Sequence, residues 1–183
     1  MFSGWVFDLQ KFHIYKNLEQ LNELPKAKAE ATFRDCCGSS EWARLMARAR
    51  PFAMIDDLYQ SAENIWFSLS SVDHLEAFAS HPKIGSNKAA PTQQAKSAKW
   101  SSGEQSGMKS VGDKVKKALA EANSLYLEKF GFIFIVCATG KSADEMLAIC
   151  RARLGNSAAT ELQIAAEEQR KITEIRLNKL LEI

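Results

Sequence analysis

The 183-residue chain is expected to fold as an all-α protein: a compact, single-domain multi-helix bundle interrupted by one extended apolar segment. Three observations carry that expectation. Apolar residues recur at helical spacing through most of the chain from Trp42 onward. Several of those stripes open on a Ser, Thr or Asp with an acidic residue or glutamine three positions later, the pattern of a capping box. Only 130–139 gathers β-branched and aromatic residues without helical spacing, and a lone strand, with no internal repeat to pair with, cannot build a sheet.

The elements follow in order. Trp42, Leu45, Met46 and Ala49 share one helical face, and Pro51 stops that helix. Leu58, Ala62, Ile65, Trp66 and Leu69 repeat the pattern in a second helix. Asp73 with Glu76 caps a short helix carrying Leu75, Phe78 and Ala79. It must end near His81, because Pro82 disfavours helical geometry in the residue before it. From Gly85 to Gly107 the composition shifts to Ser, Lys, Ala, Gln and Gly, a long polar loop or a pair of short helices; long connections of this kind are often functional. Val111, Val115, Leu119, Ala122, Leu125 and Tyr126 mark an amphipathic helix. Ser142 with Glu145 caps the next, through Met146, Leu147, Ile149 and Cys150 to Gly155 and Asn156. Thr160 with Gln163 opens the last helix, which runs to the end of the chain.

Composition excludes several function classes. Lys and Arg number 24 against 22 Asp and Glu, so no field of one sign draws the protein to nucleic acid or to an anionic membrane surface. The longest apolar run, 132–138, is far short of the roughly 18 residues that span a bilayer. A soluble protein is expected. Adjacent Cys36 and Cys37 pair only across a strained peptide, so the four cysteines read as reduced, core-filling thiols of a cytosolic protein. Met1 to Phe12 has no basic region and no small-residue cleavage site, and reads as an appended start rather than a signal peptide.

Few residues are placed to carry chemistry. Gly140, Lys141 and Ser142 imitate the end of a phosphate-binding loop, but Ile135 stands where its first glycine is needed, so Ser142 is a helix cap. Cys36, Cys37 and the scattered histidines have no metal-ligand spacing, and no metal is expected. His81 stands at a helix end, where it either meets the helix dipole or faces a small ligand from a loop. His13 and His74 have no comparable setting. Ser101, Glu104 and Gln105 form another capping-box pattern; a helix start there would offer free N–H groups to an anionic or carbonyl-rich ligand. Arg176 shares a stripe with Gln169, Ile172 and Leu180 and projects from the edge of an apolar face, toward a surface carboxylate or a ligand.

Taken together, FRDCCGSSEWA with RPF, then HPKIG, SSGEQSG, FGFIFIVCATGKS, RLGN and EQRKITEIRLNKLL resemble the family of 2-oxo-4-hydroxy-4-carboxy-5-ureidoimidazoline (OHCU) decarboxylases of urate breakdown. The likeness covers Leu18 to the end, which divides the chain into an N-terminal extension, 1–17, and a helical domain, 18–183. It implies a compact all-α homodimer that forms (S)-allantoin with release of carbon dioxide, the third step from urate, using neither metal nor organic cofactor. By position, the family's catalytic histidine falls on His81, beside Pro82, and its SxxEQ motif on Ser101, Glu104 and Gln105, with Ser102 and Gly103 between them. Its C-terminal arginine falls on Arg176, and the backbone stretch that lines the ligand on Phe134, Ile135, Val136, Cys137 and Ala138.

The roles expected from the resemblance are that His81 and Glu104 are catalytic, with Glu104 hydrogen-bonding His81 or the substrate hydroxyl. Arg176 and the backbone near Phe134 would stabilise the developing charge. The chain ends Leu181, Glu182, Ile183, without the peroxisomal serine-lysine-leucine address of some members, so a cytoplasmic setting is expected. Two other readings stay open: a helical protein that binds a ureide without turning it over, and a hydrolase acting on a related ureide with His81 as base.

Overall fold

The computed structural model of the protein describes residues 3–84, 95–106 and 112–183. Its helices are α1 Ser3–Glu23, α2 Lys26–Cys37, α3 Ser40–Ala49, α4 Ile55–Ser68, α5 Ser71–Ala79, α6 Ala95–Glu104, α7 Asp113–Phe130, α8 Ala143–Arg153 and α9 Ala158–Leu181. Among the described residues there is no strand, so the all-α reading holds. Val111 and the stretch 85–94 lie outside the described residues.

α9 organises the rest. Ala165, Ala166, Gln169, Ile172, Thr173, Arg176, Leu177 and Leu181 are buried along it, and α1, α2, α4 and α5 pack against it. Its apolar stripe is wide enough to be covered by neighbours on several sides, so its polar members have to find partners inside the protein. α3 packs on α2, with Trp42 edge-on to Phe33, and α8 packs on α7.

Several starts differ from the sequence expectation. α5 begins at Ser71, where Ser70 and Asp73 cap each other; Glu76 is thereby free to reach α3, accepting from the Ser40 N–H at 2.9 Å. Ser157, not Thr160, caps α9, accepting from the Thr160 N–H at 3.2 Å. Ser101 and Glu104 occupy the last turn of α6 rather than the first, so no helix N-terminus faces a ligand there. α1 and α2 fill a stretch to which the sequence expectation assigns no helix, although Ala29, Phe33, Cys36 and Cys37, the buried residues of α2, fall on one helical face. The boundary at residue 17 falls inside α1, where Asn17 Nδ2 donates to the Leu181 carbonyl at 2.9 Å and Leu18 and Leu21 are buried.

The extended segment behaves as its composition suggests. Gly131, at φ +77°, caps α7, and the chain then runs without regular structure through Phe132 to Ala138, almost all of it buried. Buried backbone without a sheet needs other partners. Arg153 Nη1 donates to the Ile135 carbonyl at 2.8 Å, the Cys137 N–H donates to Glu168 at 2.7 Å, and Lys141 Nζ donates to the Cys137 carbonyl at 2.7 Å. Arg153 is itself buried against the Glu161 carboxylate, which also accepts from the Tyr126 hydroxyl, and its guanidinium lies over the Phe134 ring. The N–H groups of Ile135, Val136 and Ala138 have no hydrogen-bond partner among the described residues.

One glycine ties the fold to the neighbourhood of His81. Gly38 ends α2 at φ +92°, and a Cβ there would lie 2.1 Å from Ser80 Oγ and 2.7 Å from Ser80 Cβ. Gly38→Ala combines left-handed strain with a clash beside His81 and is expected to cost about 1–3 kcal/mol. Urea unfolding should show a lower midpoint at an unchanged slope, and an unchanged midpoint would contradict the close approach.

Candidate active site

Four segments distant in sequence meet around one cavity. His81 and Pro82 come from the end of α5, Ser101, Glu104 and Gln105 from the end of α6, Phe134, Ile135, Val136 and Ala138 from the extended segment, and Ile172 and Ile175 from α9. The first three of these elements end or break at the cavity, which brings polar side chains and unpaired backbone to an otherwise apolar pocket.

The polar groups form two linked sets. Glu104, 9 % exposed, receives Arg176 side-on: Nε donates at 3.2 Å and Nη2 at 3.0 Å, while Lys179 Nζ adds a third bond at 3.0 Å. Arg176 Nη2 also donates to Ser101 Oγ at 2.9 Å, and Nη1 points at the Asp35 and Cys36 carbonyls at 3.5 Å. Burial pushes the Glu104 carboxyl up, but the hydrogen bonds and charges of Arg176 and Lys179 outweigh it and hold the group below its ordinary range. Glu104 is therefore a fixed carboxylate.

His81 belongs to the second set. Its Nε2 lies 2.7 Å from Gln169 Oε1, not against Glu104. Burial pushes the half-buried imidazole down to about 3, Arg176 adds to that, and Glu104 and the Gln169 bond pull the other way. The histidine is neutral at physiological pH.

That shift has a consequence for stability. Between its ordinary 6.5 and about 3, the unfolded chain binds a proton at His81 that the folded protein does not, so stability falls as the pH is lowered through that window. Glu104 works in the same direction at lower pH, since a depressed carboxylate loses its contribution on acidification. Wild-type protein should lose more stability than His81→Gln when urea unfolding is repeated at about pH 5 instead of about pH 7. Equal losses would contradict a neutral, half-buried His81.

Nine of the expected residues line the cavity: His81, Pro82, Ser101, Glu104, Gln105, Phe134, Ile135, Val136 and Ala138. Four do not. Ser102 and Gly103 are exposed, since they lie on the outer face of the same α6 turn that turns Ser101 and Glu104 inward. The backbone of Cys137 is taken up by Glu168 and Lys141. Arg176 is no edge residue: it is 1 % exposed, behind Glu104, with every nitrogen directed at protein acceptors. Gln169 and Lys179 are members of the site that sequence reasoning misses. The sequence holds a signal for Gln169, an amide in the middle of the same apolar stripe as Arg176, but spacing does not reveal its partner.

Other chemistry finds little support among the described residues. No group of three or more His, Cys, Asp or Glu side chains is placed to hold a metal, and no helix is long and apolar enough to cross a membrane. All four cysteines are free and buried, with burial pushing the thiols of Cys36 and Cys37 up to about 12.

The comparisons with known proteins agree on one family. The OHCU decarboxylase family model matches residues 22–178, which include every residue of the cavity named above. The uric acid degradation bifunctional protein TTL of Arabidopsis thaliana is 44% identical over 153 residues, covering 82% of this chain and 47% of that protein. The chain thus spans about half the length of this bifunctional relative. The 2-oxo-4-hydroxy-4-carboxy-5-ureidoimidazoline decarboxylase of Haloferax volcanii is 27% identical over 161 residues, 87% of this chain and 93% of that one. A crystal structure of OHCU decarboxylase in the presence of (S)-allantoin superposes with a TM-score of 0.72 at 39% identity, covering 82% of this chain and 97% of that one. With the matched segment spanning most of the chain and the cavity inside it, the protein belongs to the OHCU decarboxylase family.

Proposed function

We propose that this protein decarboxylates 2-oxo-4-hydroxy-4-carboxy-5-ureidoimidazoline to (S)-allantoin and carbon dioxide, with no cofactor. The observation that supports this most directly is the meeting of a neutral His81, the fixed Glu104 carboxylate and backbone N–H groups with no partner among the described residues around one cavity.

The chemistry asks for those groups. As the bond from C4 to its carboxylate breaks, the electron pair enters the adjacent ring imine. The former imine nitrogen takes up a proton from solvent, the C4 hydroxyl gives up its proton as it becomes a carbonyl, and a proton is added to the neighbouring ring carbon from one face. His81 acts as the base for the hydroxyl, for which a neutral imidazole is needed at the outset. Glu104 stabilises the imidazolium that forms, since its charge favours protonation of His81. The N–H groups of Ile135 and Val136 are set to meet negative charge on the ring without reorganising. Arg176 acts through Glu104 and Ser101, holding both in place. Assembly as a homodimer and a cytoplasmic setting belong to the same reading and rest on the family resemblance.

The test generates the unstable substrate in place from urate with urate oxidase and hydroxyisourate hydrolase, adds the protein, and follows the optical activity of allantoin together with carbon dioxide release. Faster formation of a single enantiomer with stoichiometric carbon dioxide is the expected result. No acceleration over the racemic spontaneous decay would leave a ureide-binding protein in its place, and ammonia or ring opening would point to a hydrolase.

A further inference from the structure

Gln169 is wholly buried in the middle of α9, and its amide is held from three directions. Nε2 donates to the Cys37 carbonyl at 3.3 Å and to Thr173 Oγ1 at 3.2 Å, while Oε1 lies 2.7 Å from His81 Nε2. Cys37 dictates which way round the amide sits. A backbone carbonyl can only accept, so the nitrogen has to face it; the reverse orientation would set two oxygens against each other in a buried place. The amide oxygen is left for His81, and it too can only accept. His81 Nε2 must therefore carry a proton, which in a neutral imidazole leaves the lone pair on Nδ1.

Nδ1 makes no hydrogen bond with any described residue, and the ring lines the cavity. We infer that Gln169 is a positioning residue that fixes His81 as the Nε2–H tautomer and so makes Nδ1 the atom that takes the substrate's proton. The identity of that proton rests on the decarboxylase reading; the tautomer does not. A neutral amide suits the task better than a carboxylate would. It orients the ring and holds the imidazolium once formed, yet does not charge the ring beforehand. The charged groups facing His81 are then Glu104, which favours its protonation, and Arg176, which opposes it, with Lys179 beyond Glu104.

The test reads the tautomer directly, from long-range nitrogen–proton NMR of the full chain labelled at its three histidines, with His81→Gln assigning the signal. In the wild type, Nε2 is expected to bear the proton and Nδ1 to be bare. Gln169→Leu should mix the tautomers and lower kcat by about 10- to 100-fold with KM little changed. Gln169→Glu should keep the tautomer but favour the imidazolium, moving the acid limb of the kcat/KM profile up by about one pH unit. A wild-type His81 protonated on Nδ1 overturns the inference, as does an unshifted acid limb in Gln169→Glu or an unchanged kcat in Gln169→Leu. Should Gln169→Leu fail to fold, the wild-type spectrum and the Gln169→Glu profile still decide. Because the spectrum needs no turnover, a wild type that forms no (S)-allantoin would sink the decarboxylase reading while the tautomer is judged separately.

Discussion

His81→Ala is expected to lower kcat/KM for decarboxylation by about a thousandfold, the scale at which a positioned general base contributes to a proton transfer. The fold should survive the change. His81 lies at a helix end beside the cavity, its side chain makes one hydrogen bond, and its backbone N–H to the Phe78 carbonyl is untouched by the substitution. Far-ultraviolet circular dichroism should therefore stay near the wild-type values, with a stability loss of no more than about 1–3 kcal/mol from the unpaired Gln169 oxygen, while allantoin formation falls toward the spontaneous, racemic rate. Glu104→Gln should also lose most activity, because the amide keeps the shape of the side chain but not the charge that favours the imidazolium. Wild-type rates in both variants would remove His81 and Glu104 from the mechanism together.

Arg176→Met is expected to have the largest effect on stability. The guanidinium is the main partner of a buried carboxylate and also serves Ser101 and two backbone carbonyls. Removing one member of such a pair leaves the other uncompensated and costs about 3–5 kcal/mol. Lys179 reduces the loss only in part, since its side chain is 35 % exposed and its charge is partly screened. Urea unfolding measures the effect. The informative companion is the double variant Arg176→Met with Glu104→Leu, in which the buried charge is gone as well: it should recover much of the stability and none of the activity. A single-variant loss below about 1 kcal/mol would mean that the pair behaves like an exposed one.

The two predictions draw unequally on the sequence. His81 stands out in the sequence itself, because a proline directly after it ends the helix and leaves the imidazole at a loop. The extended segment is equally legible, since no helical stripe fits residues 130–139. The buried state of Arg176 is not: a stripe says which face a residue is on, but not whether a neighbouring element covers its edge. α6 supplies that cover with Glu104, 72 residues away. The capping-box reading of Ser101 and Glu104 fails for a related reason, as the same serine and glutamate spacing occurs in a last turn as well as in a first one.

Periodicity, caps and the motif order in the chain are enough to specify an all-α fold, the family and the four segments that meet at the cavity, because these depend on neighbours a few residues apart. Which groups touch is settled by the packing of α2, α5 and α6 around α9. Sequence reasoning pairs Glu104 with His81 or the substrate; in the fold Glu104 is turned to Arg176 and Lys179, and the imidazole meets Gln169, 88 positions along the chain. A buried amide or guanidinium takes whichever partner satisfies all of its hydrogen bonds at once, and that choice depends on distances between segments that no local pattern encodes.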